Sequence, residues 1–375
     1  MNRRQFLGVA AMAAGSGAAQ SLPGVQPITE TERAARIEKA RRLMRQHKLD
    51  AIFLEPGSTL FYYTGRPAGS DERILGWVLP AKGEPAWTSP DLQPAQVFKD
   101  RGVSTGRIGI EEQVRFFVFD GIRKQAPALE YASATPVTAG CRMIKSPAEI
   151  ALMQRANDIT IAAFRFALAK LREPMTQAEL RADIAAGYRE QGLPGGGALI
   201  GFGKASAFPH GSVQPQLLHE GDIVLIDGGC SIEGYQSDIT RTTVFGKATA
   251  RQKQIWDLER KAQDAAFAAA RTGATCESVD AAARKVITDA GFGPDYKVPG
   301  LPHRTGHGIG LDGHEWTNLV RGNKTRLAPG MCFSDEPMIA IYGEFGIRLE
   351  DCFYMAEGGP RFFTKQSLSI DQPFG

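Results

Sequence analysis

Long apolar runs are missing from this chain of 375 residues. No uninterrupted apolar stretch approaches the roughly 20 residues that a bilayer-spanning helix needs, so no membrane partner is expected. Cysteine is scarce as well. Cys141, Cys230, Cys276, Cys332 and Cys352 are scattered without a C-x-x-C spacing, which removes zinc ribbons and thioredoxin-like redox sites from consideration. Buried free thiols are the expectation, with a disulfide left open. An excess of one charge is also absent. The 44 Lys and Arg against 41 Asp and Glu give a net charge of +3, too weak a field to suggest a nucleic-acid partner. The glycine-rich "GLPGGGALIGFGKASAFPHG" has neither the G-x-x-x-x-G-K-[ST] nor the G-x-G-x-x-G spacing, so it reads as a mobile loop rather than a phosphate cradle.

What is present suits a soluble globular protein: 43% hydrophobic and 23% charged residues, on a chain long enough for two domains. The N-terminus differs from the rest. "MNRRQFLGVAAMAAGSGAAQS" sets Arg3 and Arg4 before a short Ala/Gly-rich apolar run and small residues at Gly17 to Ala19, the outline of a twin-arginine export signal over residues 1–22. Periplasmic or secreted localisation follows as an expectation. Removing the signal takes two arginines with it and weakens the positive field further.

After the signal, "ETERAARIEKARRLMRQHKL" predicts an amphipathic helix with Ile37, Ala40, Leu43 and Met44 on one side. "DAIFLEP", "TLFYYTG" and "GWVLPAKGEPAWTS" read as strands, the last a hairpin turning at Lys82-Gly83. These segments make a small α/β domain over residues 28–142. The next boundary is sharper. Ser146, Pro147 and Glu149 supply an N-cap, a first-turn proline and a capping-box glutamate, opening a second domain over 143–375. Helices are predicted at about 147–171, 176–191, 250–271 and 276–290, separated by strands that carry polar residues. The fold class is α+β, with helices over one face of a curved antiparallel sheet.

Those strands hold carboxylates where burial makes them expensive. In "LIDGGCSIEGYQSDITRTTVFG" a turn over Gly229 to Gly234 predicts Asp227 opposite Asp238 on adjacent strands. In "FSDEPMIAIYGEFGIRLED" Glu336 and Glu350 flank a turn near Gly343 and face each other in the same way. Four buried like charges require a counter-charge, and two divalent cations balance them while satisfying their oxygens better than a pair of basic side chains. "HRTGHGIGLDGHE" then adds His303, His307 and His314, three of the six histidines in the chain. Glycines at 306, 308 and 310 allow close approach to His307.

Together, "KSPAEIALMQRA", "FPHG", "IDGGCSIEGYQSDITRT", "GHGIGLDGHE", "EP" and "GIRLED" resemble the pita-bread metallopeptidases, the group of Xaa-Pro dipeptidases, aminopeptidase P and methionine aminopeptidase. The resemblance implies a C-terminal pita-bread catalytic domain behind a smaller creatinase-type α/β domain. The metal ligands it implies are Asp227, Asp238, His307, Glu336 and Glu350, with Asp238 and Glu350 shared between two ions. It also implies that His314 sits beside the scissile carbonyl, that His210 and His303 line the substrate pocket, that Arg348 supports binding near the metals, and that homodimers form.

The chemistry so implied is hydrolysis of the bond before proline in short peptides by a hydroxide held between two ions. Glu336 is expected to shuttle the proton and His314 to stabilise the oxyanion. An oxygen-rich set suits manganese first, with cobalt, zinc or iron admissible. A dipeptidase needs a cation at the substrate's free carboxylate, for which Arg321 and Arg348 are the candidates. Aminopeptidase P, acting on longer peptides, is the alternative; a binding-only relative fits poorly with an intact ligand set, and methionine aminopeptidase conflicts with the long N-terminal domain. Met338, Ile339, Ala340 and Gly313 depart from the pattern, which suggests an altered pocket wall.

Overall fold

The structure, a computed structural model, describes residues 24–67, 69, 74–89 and 92–375, so the twin-arginine segment lies outside the described residues. The first half of the fold alternates α1 (Glu30–Gln46), β1 (Ala51–Leu54), α2 (Ser58–Thr64), β2 (Trp77–Pro80), β3 (Ala86–Trp87), α3 (Pro94–Asp100), β4 (Gly106–Ile110), α4 (Phe116–Gln125), β5 (Leu129–Ser133) and α5 (Thr135–Arg142). Its sheet has the order β3-β2-β1-β4-β5, parallel through β1, β4 and β5 and antiparallel at the β2–β3 edge. Lys82-Gly83 turns that edge hairpin, and Gly83 has φ +90°.

"TLFYYTG" is a correction. Its aromatic and β-branched residues favour a strand, yet the segment is α2 and ends at Gly65 in the left-handed region. Tertiary packing decides it, because a helix buries Leu60, Tyr62 and Tyr63 together.

The second half opens with α6 (Pro147–Leu168) and α7 (Gln177–Glu190), followed by β6 (Gly197–Phe202), β7 (Ile223–Gly229), β8 (Ser231–Ile232), β9 (Tyr235–Gln236) and β10 (Ile239–Val244). The order then recurs: α8 (Ala250–Ala269) and α9 (Cys276–Asp289) precede β11 (Gly306–Gly308), β12 (Glu315–Leu319), β13 (Cys332–Asp335), β14 (Met338–Ile341), β15 (Phe345–Arg348), β16 (Asp351–Ala356) and β17 (Gly359–Phe362). Capping boxes at Ser146/Glu149, Thr176/Glu179 and Thr249/Gln252 start three of the four helices.

Among the described residues the strands make a sheet β10-β7-β6, a sheet β12-β11-β13-β16-β17 and the hairpins β14–β15 and β8–β9, all antiparallel, instead of one continuous sheet. A backbone bridge between Thr240 and Glu350 joins the two larger sheets. The glycine-rich segment expected to be a mobile loop is corrected in part. Its centre is β6, paired with β7 from Gly197↔Gly229 to Phe202↔Val224.

One apolar cluster runs through both halves, uniting Leu54, Tyr62, Trp77 and Cys141 with Leu152, Met153 and Ile226. A polar network seals the same junction. Arg36 donates to Tyr62 O at 2.9 Å and to Tyr235 Oη at 3.0 Å, and Tyr235 donates to Glu149 at 2.8 Å. Arg142 bonds Asp312 and Glu315, and Lys145 bonds Glu315 at 3.0 Å. The five cysteines are buried free thiols.

Candidate metal centre and active site

The two sheets meet where the acidic residues lie. Asp227 is on β7 and Asp238 just precedes β10, but the register corrects their expected pairing: Asp227 opposes Thr240, and Ile239 opposes Gly228. Asp238 is therefore a diagonal neighbour of Asp227. Glycine makes the approach work. A Cβ on Gly229 would lie 1.8 Å from Ser237 O, so only glycine lets the chain fold back so tightly before Asp238.

The second pair follows the sequence more closely. Asp335↔Asp351 on β13–β16 and Met338↔Arg348 on β14–β15 share one register, which brings Glu336 level with Glu350. His307 enters on β11. Gly306 beside it packs so closely that a Cβ would meet Ser334 O at 2.1 Å.

Three overlapping groups result: Asp227, Asp238 and Glu350; His307, Glu336 and Glu350; Asp238, His307 and His314. Within each, the candidate ligand atoms lie within 4.8 Å of one another. His307 Nδ1 donates to Gly308 O at 3.1 Å, which leaves Nε2 facing Glu336 at 3.1 Å and Asp238 at 3.8 Å. Glu350 accepts from Thr240 Oγ1 at 2.7 Å through one oxygen, while its other oxygen, Oε1, is buried without a hydrogen-bond partner. Arg348 is bonded to Asp227, Thr240 Oγ1 and Pro209 O.

Electrostatics reflect the crowding of buried carboxyls. Burial, and then the facing Asp227, push the Asp238 carboxyl up to about 7. Burial and Asp238 push Glu350 well above the carboxylate range. Burial also acts to raise Glu336, but the hydrogen bond and charge of His307, with help from His303 and Arg348, hold it below that range. Burial, His307 and Arg304 bring His314 down to about 4, so its imidazole is neutral near pH 7. An orphaned carboxylate oxygen, two carboxyls resisting ionisation and an imidazole nitrogen aimed at carboxylates all fit an oxygen-rich site for divalent cations.

The remaining expected residues sit around this cluster. His303 Nδ1 donates to Arg304 O at 2.7 Å, and its Nε2 is buried without a partner. His210 is exposed, one residue beyond the carbonyl that accepts from Arg348. Arg321 is mostly exposed and engaged with Asp295, away from the cluster. Met338, Ile339 and Ala340 are 0% exposed and packed in the core with Ile255 and Ile347. A Cβ on Gly313 would meet nothing within 4 Å. Sequence reasoning missed Thr240 and Ser334, the hydroxyls that hold Glu350 and the His307 backbone. "DITRT" offered the only signal for Thr240, through the two-residue periodicity from Asp238.

A carboxylate-rich centre edged by two imidazoles, enclosed between antiparallel sheets, defines a metal-dependent hydrolase of the pita-bread type. Residues 151–357 match metallopeptidase family M24, and residues 36–91 match the creatinase/prolidase N-terminal domain. The chain belongs to metallopeptidase family M24. It is 29% identical to the Xaa-Pro dipeptidase of Pyrococcus furiosus, over 89% of this chain and 99% of the relative. It is 35% identical to the probable dipeptidase PepE of Mycobacterium tuberculosis, over 87% and 92%. The crystal structure of dipeptidase PepE from Mycobacterium ulcerans superimposes with a TM-score of 0.82 at 31% identity, covering 92% of this chain and 98% of that one.

Proposed function

We propose that this metallopeptidase is an Xaa-Pro dipeptidase that uses two divalent cations, manganese before cobalt, zinc or iron. The observation that carries the reading is the convergence of Asp227, Asp238, His307, Glu336 and Glu350 into overlapping ligand groups, with a neutral His314 at their edge. The printed name of the Pyrococcus relative supplies the substrate class.

Asp227, Asp238, His307, Glu336 and Glu350 would hold the cations, which supply water activation at neutral pH and Lewis-acid polarisation of the carbonyl. His314, exposed and neutral, donates to the oxygen of the scissile carbonyl as negative charge develops there. Glu336 takes the proton released from the attacking water and returns it to the proline nitrogen as the C–N bond breaks. The return matters because a proline nitrogen carries no hydrogen in the peptide bond. The buried, unpartnered Nε2 of His303 is an acceptor awaiting a substrate donor. Arg348 holds Asp227 in place, which orients a ligand instead of gripping substrate directly. His210, on the exposed turn, completes the pocket rim.

Hydrolysis of an Xaa-Pro dipeptide and an Xaa-Pro-Yaa tripeptide by stripped protein with and without added Mn²⁺ tests the reading. Metal-dependent cleavage of the dipeptide alone supports it. Cleavage of the tripeptide replaces it with aminopeptidase P, and cleavage of neither overturns it. The RR-containing N-terminus supports export as a folded protein, checked by fractionating cells that express the full chain. The family resemblance supports a homodimer, checked by light scattering.

A further inference from the structure

Four of the five candidate ligands have their side chain held by a hydrogen bond. Arg348 bonds Asp227, Thr240 Oγ1 donates to Glu350 at 2.7 Å, Ser334 Oγ donates to Glu336 at 3.3 Å, and His307 Nδ1 donates to Gly308 O at 3.1 Å. Asp238 is the exception. Its carboxylate accepts no hydrogen bond among the described residues, and its ion pair with His307 is long, at 3.8 Å. The family resemblance makes Asp238 a ligand shared by both ions, so its placement bears on both. Whatever aims it must act through the main chain.

The main chain is gripped on either side of this residue. Ahead of it, Ser237 and Cys230 bond reciprocally across the tight return: Ser237 N donates to Cys230 O and Cys230 N donates to Ser237 Oγ, each at 3.0 Å. Ser237 Oγ lies 2.8 Å from Thr160 Oγ1 on α6, and Tyr188 Oη on α7 donates to that same oxygen at 3.3 Å. The protons balance when Thr160 donates to Ala156 O at 3.0 Å and accepts from Ser237 and Tyr188, since a hydroxyl has one hydrogen and two lone pairs. On the far side, the Cys352 thiol on β16 donates to Asp238 O at 3.1 Å.

Thr160, Tyr188 and Cys352 are fully buried, and Ser237 nearly so. Burying polar side chains in an apolar core is costly unless each is bonded, and a satisfied network fixes a geometry that apolar packing leaves free. Here the geometry so fixed is that of the residue before Asp238 and of the Asp238 carbonyl. A shift of Ser237 passes to Asp238 with no residue between them.

We propose that Thr160 and Cys352 are positioning residues for Asp238, aiming its carboxylate at the cations through the backbone on either side. The proposal rests on the two-cation reading.

The test titrates metal-stripped protein with Mn²⁺ by calorimetry, with urea unfolding of the same stripped samples, for wild type, Thr160→Val, Thr160→Ser, Cys352→Ala and Val279→Ala. Val279 is buried on α9, outside the network, and controls for a plain loss of packing. Thr160→Val and Cys352→Ala weaken Mn²⁺ binding about 10-fold. Thr160→Ser, which keeps the hydroxyl, recovers most of the affinity, while Val279→Ala loses stability and keeps wild-type affinity. Unchanged affinity in Thr160→Val or in Cys352→Ala overturns the proposal, and so does an equal loss in Val279→Ala, which marks the effect as general loosening. If Thr160→Val does not fold, Cys352→Ala decides alone. Wild type that takes up no Mn²⁺ overturns the two-cation reading and this proposal with it, whereas uptake by wild type with unchanged variants overturns the proposal alone.

Discussion

Asp238 and Glu350 are buried carboxyls pushed above the usual range, and small changes around them have distinct consequences. Asp238→Asn keeps the shape but removes an anionic ligand, so metal and activity are expected to disappear together; metal analysis and peptide hydrolysis on the same sample check this. Near-normal activity in the variant would overturn the two-metal reading. Thr240→Val removes the donor to Glu350 Oε2 and the acceptor for Arg348 Nε. Metal affinity is expected to fall about 10- to 100-fold, measured by metal titration, with the fold retained. The acidic residues and His307 were legible because charge in an apolar strand demands a partner. Thr240 was not, since a β-branched hydroxyl residue in a strand is ordinary until its neighbour on another sheet is known.

At the scale of elements, local signals succeeded where a cap or a turn specified its own geometry. The capping box at Ser146 and the turns at Gly83 and Gly343 were readable for that reason. The segment over α2 misled because aromatic and β-branched residues favour strands only weakly, and burial against neighbouring elements outweighed that preference. The Asp227–Asp238 register misled for another reason: the small β8–β9 hairpin takes up residues between the two strands and shifts the pairing. β11 offers a direct test. Gly306→Ala forces a methyl against Ser334 O, so β11 must move off β13 and carry His307 with it. A loss of about 1–3 kcal/mol in urea unfolding is expected, together with weaker metal binding. Normal metal affinity would show that β11 accommodates the methyl without moving His307.

Across the whole molecule, a cavity beside His314 is lined by both halves, and the ion network of Arg142, Lys145, Asp312 and Glu315 joins them. Burial alone would raise the Glu315 carboxyl, but Lys145 and Arg142 bring it from an ordinary 4.5 down to about 2. A carboxyl depressed on folding stabilises the native state above its unfolded value, and that contribution is lost as pH falls through the folded one. Glu315→Gln is expected to cost about 3 kcal/mol at pH 7, because it leaves two buried cations short of a partner. The wild type–variant difference should shrink as pH falls from 4.5 toward 2, measured by denaturant unfolding at a series of pH values. A pH-independent difference would assign the loss to packing.

Caps and the spacing of acidic and histidine residues were enough to determine an α+β chain in two parts with a carboxylate cluster that demands cations, because helix starts and buried charges are local physical demands; the peptidase class came from the resemblance of its motifs to the pita-bread metallopeptidases. The Asp227 register and the hydroxyls behind the ligands were decided by tertiary structure. Each depends on residues distant in the chain coming within a few ångströms, and the pairing of strands from separate sheets fixes that distance.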